Sequence, residues 1–230
     1  LTGYRFRDGD GIRGKEAAPD AGLYMLTLLL LRHTFLLHMP KRASSNRNPF
    51  RDIFERVRPG ERPSGGELSE DERALAVTKA IGETIPFMAT AGVHVEVYTP
   101  SDVVVALPDR TAVHNHVGTP HAAALALLAE AATGLVVALN LPDGAVPLLR
   151  TLSVDFSKMA TGRVTARASL SAEERERIAS RPIGKIDVDV ELRSSSSASN
   201  SSTDVATDAS PPPVKGVLQW AWIPEERLKT

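Results

Sequence analysis

One carboxylate stands out by its surroundings. Between Ala122 and Leu141 the chain runs AAALALLAEAATGLVVALNL, and Glu130 is its single charged residue. Burying a lone carboxylate is costly unless it is paired or neutralised. Glu130 therefore either has a structural partner or is kept for work as a general base or nucleophile. Just upstream lies the polar turn NHVGTPH. In it Asn115, Gly118 and His121 are spaced by three, and Glu130 follows His121 by nine. Three of the six histidines, His114, His116 and His121, gather at this turn. Their spacing of two then five, with no helix under the first pair, is poor for a metal, and no metal is expected. The chain has no cysteine, which excludes thiolate nucleophiles, disulfides and Cys-type zinc sites.

The apolar run after the turn must be a helix, and it invites a membrane-spanning reading. Against this stand polar Glu130 and Asn140, a helix-weakening Gly134, and alanines in excess of leucines. Alternating strand patterns flank it on both sides, so a helix fully buried under a sheet is the better expectation. Upstream, GELSEDERALAVTKAIGETIPF predicts a helix capped by Ser69, with Leu75, Val77, Ile81 and Ile85 as its apolar face and Pro86 as its stop. Val93, Val95 and Val97 then alternate with His94, Glu96 and Tyr98, and after a Thr-Pro-Ser-Asp turn Val103 to Leu107 completes a hairpin.

Beyond Pro142-Asp143-Gly144, three more stretches alternate. They carry Leu152, Val154 and Phe156, then Val164 to Leu170, then Ile186, Val188, Val190 and Leu192. SAEERERIAS between the last two is a short charged helix, with Ser171 and Glu174 spaced as a capping box. VLQWAWI (Val217 to Ile223) is the last strand, with Trp220 and Trp222 expected at an edge or a dimer contact. Helices are too few to alternate with strands, so the fold class is α+β, with an antiparallel sheet of about five to six strands around one long helix.

The ends look different. Residues 1–66 are read as an N-terminal extension, disordered or serving as a targeting segment, with a short helix possible at Pro49–Val57. Its apolar run Leu23 to Leu31 is too short for a bilayer span. The chain opens on Leu1, as a fragment or an imperfect gene model would. Residues 67–230 form the domain, with a serine-rich low-complexity insertion at 194–213. The formal net charge of -1 gives no footprint for nucleic acid.

The spacing of Asn115, Gly118, His121 and Glu130 resembles the motif of the hotdog-fold acyl-CoA thioesterases of the PaaI-like type. That motif is Asn-x-x-Gly-x-x-His-Gly-Gly, with Asp or Glu nine residues after the His. VDFSKMATG at Val154 to Gly162 is similar to the strand and turn after the helix in that superfamily. The nearest likeness is to a hotdog subfamily known as a domain of unknown function, with Glu at this place, and it covers about Ser69 to Ile223. The resemblance implies hydrolysis of an acyl-CoA, with no cofactor beyond the coenzyme A of the substrate. Glu130 would be general base or nucleophile, and the Ala122 amide the oxyanion donor. Asn115 would orient water or the leaving thiolate, and His121 would hold the turn or touch substrate. Gly118, Thr119, Ala122 and Ala123 would line the substrate. It also implies a homodimer or tetramer, with carboxylate and oxyanion donor from opposite subunits. A cytoplasmic location follows, with organellar targeting by the extension as the alternative. One departure stands: Ala122 and Ala123 replace the family's two glycines, and their methyls could crowd the acyl group. That favours a rival, a hotdog protein that binds acyl thioesters without turnover. A second rival is a hydroxyacyl-thioester dehydratase, with His116 fourteen residues before Glu130. Arg150, Lys158 and Arg163 could meet the coenzyme's phosphates on this reading, but solvated surface charge is the better expectation for them.

Overall fold

Three helices start where a short polar side chain can take the first free amides. Asn48 caps α1 (Pro49–Val57), accepting from the Phe50 and Arg51 amides. Ser69 and Glu72 form a full capping box on α2 (Glu70–Thr84). Each such cap is worth about 1 kcal/mol. The computed structural model describes residues 47–58, 68–156, 159–194 and 214–228. The apolar run Leu23 to Leu31, Lys158, and the serine-rich segment from 195 to 213 lie outside them.

Pro86 stops α2 but does more than predicted. It also opens a second short helix, α3 (Pro86–Ala91), where its missing N–H costs nothing. Gly92 ends α3 at φ +70°, the left-handed conformation that frees the chain to enter the sheet. On α2, Val77 and Ile81 are buried as expected, whereas Leu75 is exposed.

Six strands form one antiparallel sheet: β1 (His94–Tyr98), β2 (Asp102–Leu107), β3 (Ala145–Asp155), β4 (Val164–Ser169), β5 (Gly184–Ser194) and β6 (Val214–Pro224). Their order across the sheet is β1-β2-β4-β5-β6-β3, so β1 and β3 are the edges. The long helix α4 (Ala122–Asn140) lies against the inner face, and the charged helix α5 (Ala172–Ala179) links β4 to β5. Ser171 and Glu174 form the predicted capping box. β5 alternates as its sequence does, with Ile186, Val188, Val190 and Leu192 all buried. This is the hotdog fold, a sheet curled around one helix. By length and hydropathy α4 could cross a membrane, but most of it is enclosed within the fold.

The β1 alternation breaks where the sequence gives no sign of it. A register shift between Val95 and Val97 turns Tyr98 inward and leaves Val97 exposed. Burial raises the Tyr98 pKa, and its hydroxyl donates to the Phe50 carbonyl at 3.1 Å. The outer edge of β1 is partly satisfied by α2, where Thr78 Oγ1 accepts from the Val95 amide at 2.8 Å.

Two expectations are corrected. Trp220 and Trp222 are neither edge nor dimer residues: they are 4% and 1% exposed, on the inward face of β6. Each rests on a glycine, Trp220 on Gly134 and Trp222 on Gly184, where a Cβ would come within 2.7 Å and 2.3 Å of the ring. Nor does the domain begin at residue 67, because the compact unit runs Asn46–Thr230. Within α1, Phe50 and Ile53 are buried in the core, and Arg51 pairs with Asp143 at 3.5 Å. The helix expected at Pro49–Val57 forms, but the Gly- and Pro-rich sequence after Val57 hid that it is anchored to the domain from its own N-terminus.

Candidate functional site

The turn that precedes α4 is built by Asn115. Its Oδ1 accepts from the Val117 amide at 2.9 Å and the Thr119 amide at 3.2 Å, while its Nδ2 donates to Thr119 Oγ1 at 2.9 Å. An Asx turn of this kind closes the loop with a side chain. Gly118 sits at φ +82°, with open space where a Cβ would stand. Backbone conformation, not crowding, therefore asks for glycine there. A bridge between His114 and Pro120, and a hydrogen bond from His121 N–H to the Val113 carbonyl at 2.8 Å, bring the chain to the helix start.

His121 is the N-cap of α4. Its Nδ1 accepts from the Ala123 amide at 3.0 Å. Its carbonyl takes the Ala124 and Leu125 amides. That leaves the Ala122 amide without a hydrogen-bond partner among the described residues, on an exposed residue at the positive end of a 19-residue helix. His114 is engaged elsewhere, its Nε2 2.6 Å from Asp109 Oδ1, and His116 is exposed. Among the described residues no group of His, Asp and Glu is arranged to hold a metal.

Glu130 lies two turns further along α4. It is partly buried, its carboxylate has no partner among the described residues, and burial raises its pKa. The cause is desolvation alone, which disfavours the charged form. Around it the helix presents a partly open stripe of Ala123, Leu127, Glu130 and Gly134, at helical spacing. On β3, Leu149 and Leu152 share the face of Trp220 and Leu218 and are 37% and 40% exposed, and Phe156 just beyond the strand is 47% exposed.

The structure thus puts Asn115, Gly118, Thr119 and His121 into one turn, with Ala122 and Ala123 beside it on the first turn of α4. It does not bring Glu130 to them within one chain. Eight residues along a helix are about 12 Å. Of the candidate cations, Arg163 is spent on Glu96 of β1. Arg150 is exposed at the register shift in β3 and has no partner among the described residues.

Sequence reasoning missed that Trp220 packs on Gly134, one helical turn beyond Glu130. A signal for it is present, since a glycine inside a strong helix pattern marks a close approach by something bulky.

The model of a family described as a domain of unknown function, DUF4442, matches residues 73–207, more than half of the 230-residue chain. The chain belongs to the DUF4442 family. The match ends before β6, yet in this DUF4442 protein β6 pairs with both β5 and β3 and completes the sheet. A search of curated proteins finds no match. Among solved structures, a Pseudomonas aeruginosa protein described as a probable thioesterase is 20% identical with a TM-score of 0.52, over 64% of this chain and 93% of that one. A Chlorobaculum tepidum protein of unknown function is 16% identical with a TM-score of 0.54, over 68% and 98% of the two chains. At these identities the likeness speaks for the shared fold.

Proposed function

We propose that this protein hydrolyses acyl thioesters such as acyl-CoA, with Glu130 as general base or nucleophile and the Ala122 amide as oxyanion donor. The observation that carries this reading is the Glu130 carboxylate. Among the described residues it has no partner, in apolar surroundings, and the first amide of the same helix has none either. A raised pKa suits a base that must take a proton near neutral pH. The open Ala122 N–H and the helix dipole together suit a developing oxyanion.

The two groups cannot serve one carbonyl within one chain, because about 12 Å of helix separates them while a donor must come within about 3 Å of the oxyanion. The site therefore needs two copies, each giving its Glu130 to the other's Ala122. The free edge of β3 and the exposed apolar face of Leu149, Leu152 and Phe156 suit that contact. In this scheme Asn115 and His121 shape the turn that aims the amide, and Gly118, Thr119 and Ala123 border the substrate.

A second reading, binding without turnover, draws on one observation: the Ala122 and Ala123 methyls stand exposed at the oxyanion position. Thiol release from a panel of acyl-CoAs separates the two. Release that is abolished in a folded Glu130→Gln protein supports hydrolysis by Glu130. Affinity for acyl-CoA with no release supports the second reading.

A further inference from the structure

The contact that His121 makes commits its ring to one protonation state. Nδ1 accepts from the Ala123 amide at 3.0 Å. A ring nitrogen that accepts a hydrogen bond carries no proton, so the ring is neutral and its one proton sits on Nε2. Any further proton must go to Nδ1. It would turn the acceptor into a donor aimed at a donor, and it would set a cation at the positive end of a 19-residue helix. The cap and the charge exclude each other.

This ring holds the part of the turn that matters most. The His121 backbone is fixed on both sides, by the Val113 carbonyl before it and by the Ala124 and Leu125 amides after it. Between them the imidazole alone holds the Ala123 amide, next to the Ala122 amide. His121 is exposed, so a proton from solvent reaches the ring.

Few other groups around this turn titrate. On the segment before α4, Asp109 and His114 are paired at 2.6 Å, Arg110 donates to the Ala91 carbonyl, and His116 is exposed. α3 has no ionisable side chain, and the strands β2, β4 and β5 bury only apolar side chains under α4. β3 adds Arg150 and Asp155, both exposed. Within α4 only Glu130 ionises, and in the two-copy site the Glu130 that comes to this turn belongs to the second copy.

We propose that His121 is a proton-operated latch on the first turn of α4: the neutral ring holds the Ala123 amide and with it the aim of the Ala122 N–H, and the protonated ring releases both. Its effect on turnover rests on the thioester reading above, whereas the latch itself does not. His121 touches no reacting atom in this role and acts as a positioning residue. Acid then stops the protein twice, by protonating Glu130 and by opening the turn that aims the oxyanion donor.

The test uses the full chain between about pH 5 and pH 8, the range in which histidine changes charge, wherever circular dichroism shows it folded. Nitrogen-15 shifts of the His121 ring should place its proton on Nε2 at the alkaline end of that range. Toward acid the Ala123 amide proton should move upfield, as a lost hydrogen bond requires, in step with the titration of the ring. In His121→Asn that amide should stay where it is. In kcat/KM for one acyl-CoA, wild type should fall about a hundredfold per pH unit at its acid end, a factor of about ten for each of two protons, and His121→Asn only about tenfold. A neutral ring with its proton on Nδ1, a ring still neutral at the acid end, or an Ala123 amide unmoved while the ring titrates overturns the latch. So does a one-proton fall in wild type, or a two-proton fall that survives in His121→Asn. Should wild type release no thiol at any pH, the hydrolase reading fails, and the ring and amide shifts alone decide the latch.

Discussion

Asn48 Nδ2 donates to the Ala138 carbonyl at 2.7 Å, tying the residue before α1 to the last turn of the central helix. The same group reaches the Leu141 carbonyl at 3.1 Å, while Oδ1 caps α1. One buried amide therefore closes two helix ends. Asn48→Ala removes the cap and strands buried carbonyls, at about 2–3 kcal/mol together. Urea unfolding should show that loss. A change below about 0.5 kcal/mol, the scale of ordinary surface substitutions, would return α1 to the status of a linker.

Glu130 links stability to pH. Its folded pKa is raised, so between the unfolded value of about 4.3 and the folded one the native state holds more protons. Wild-type stability therefore falls, relative to Glu130→Gln, as pH rises through that window. Thermal melts across pH should show the substituted protein gaining most at the alkaline side. A constant difference would mean that the carboxylate is not desolvated. Activity should run the other way, rising with pH as the base ionises and vanishing in Glu130→Gln.

His121 acts through its backbone position and Nδ1, as a cap on the Ala123 amide. Asparagine is a good cap, so His121→Asn should keep both fold and kcat. His121→Ala should lose about 1 kcal/mol. A large fall of kcat in a stable His121→Asn protein would instead assign the imidazole a chemical role.

At Gly134 two effects oppose each other. Alanine gains about 1 kcal/mol of helix propensity, but its methyl must displace the Trp220 ring, and overpacking costs about 1–3 kcal/mol. Since the ring is also hydrogen-bonded to Thr133, displacement should win and Gly134→Ala should lower the melting temperature. A rise would show that the ring yields.

Leu152→Lys places a charge on the exposed inner face of the free edge strand. Sedimentation should show wild type as a dimer or tetramer and the substituted protein shifted to monomer, with activity lost in proportion. A monomeric wild type that still hydrolyses thioesters would refute the shared site.

Much of this architecture is set by neighbours along the chain. The serine caps with their glutamates, the two-residue period of β5, the turn at Asn115–Gly118 and the apolar length of α4 are legible because they depend on hydrogen bonds and sterics within a few residues. Burial is different, since it depends on what a distant segment brings across. Tyr98 faces inward because β1 bulges against β2, and the tryptophans are core because β6 lies under glycines in α4 and β5. The same local alternation buries Ile186 in the middle of the sheet and leaves Leu152 open at its edge. Sequence determined the motif and the elements that hold it. A helix fixes distance along its axis, so the eight-residue spacing already keeps Glu130 out of reach of its own Ala122. Only the tertiary structure set Trp220 against Gly134, because only packing fixes what stands beside a helix.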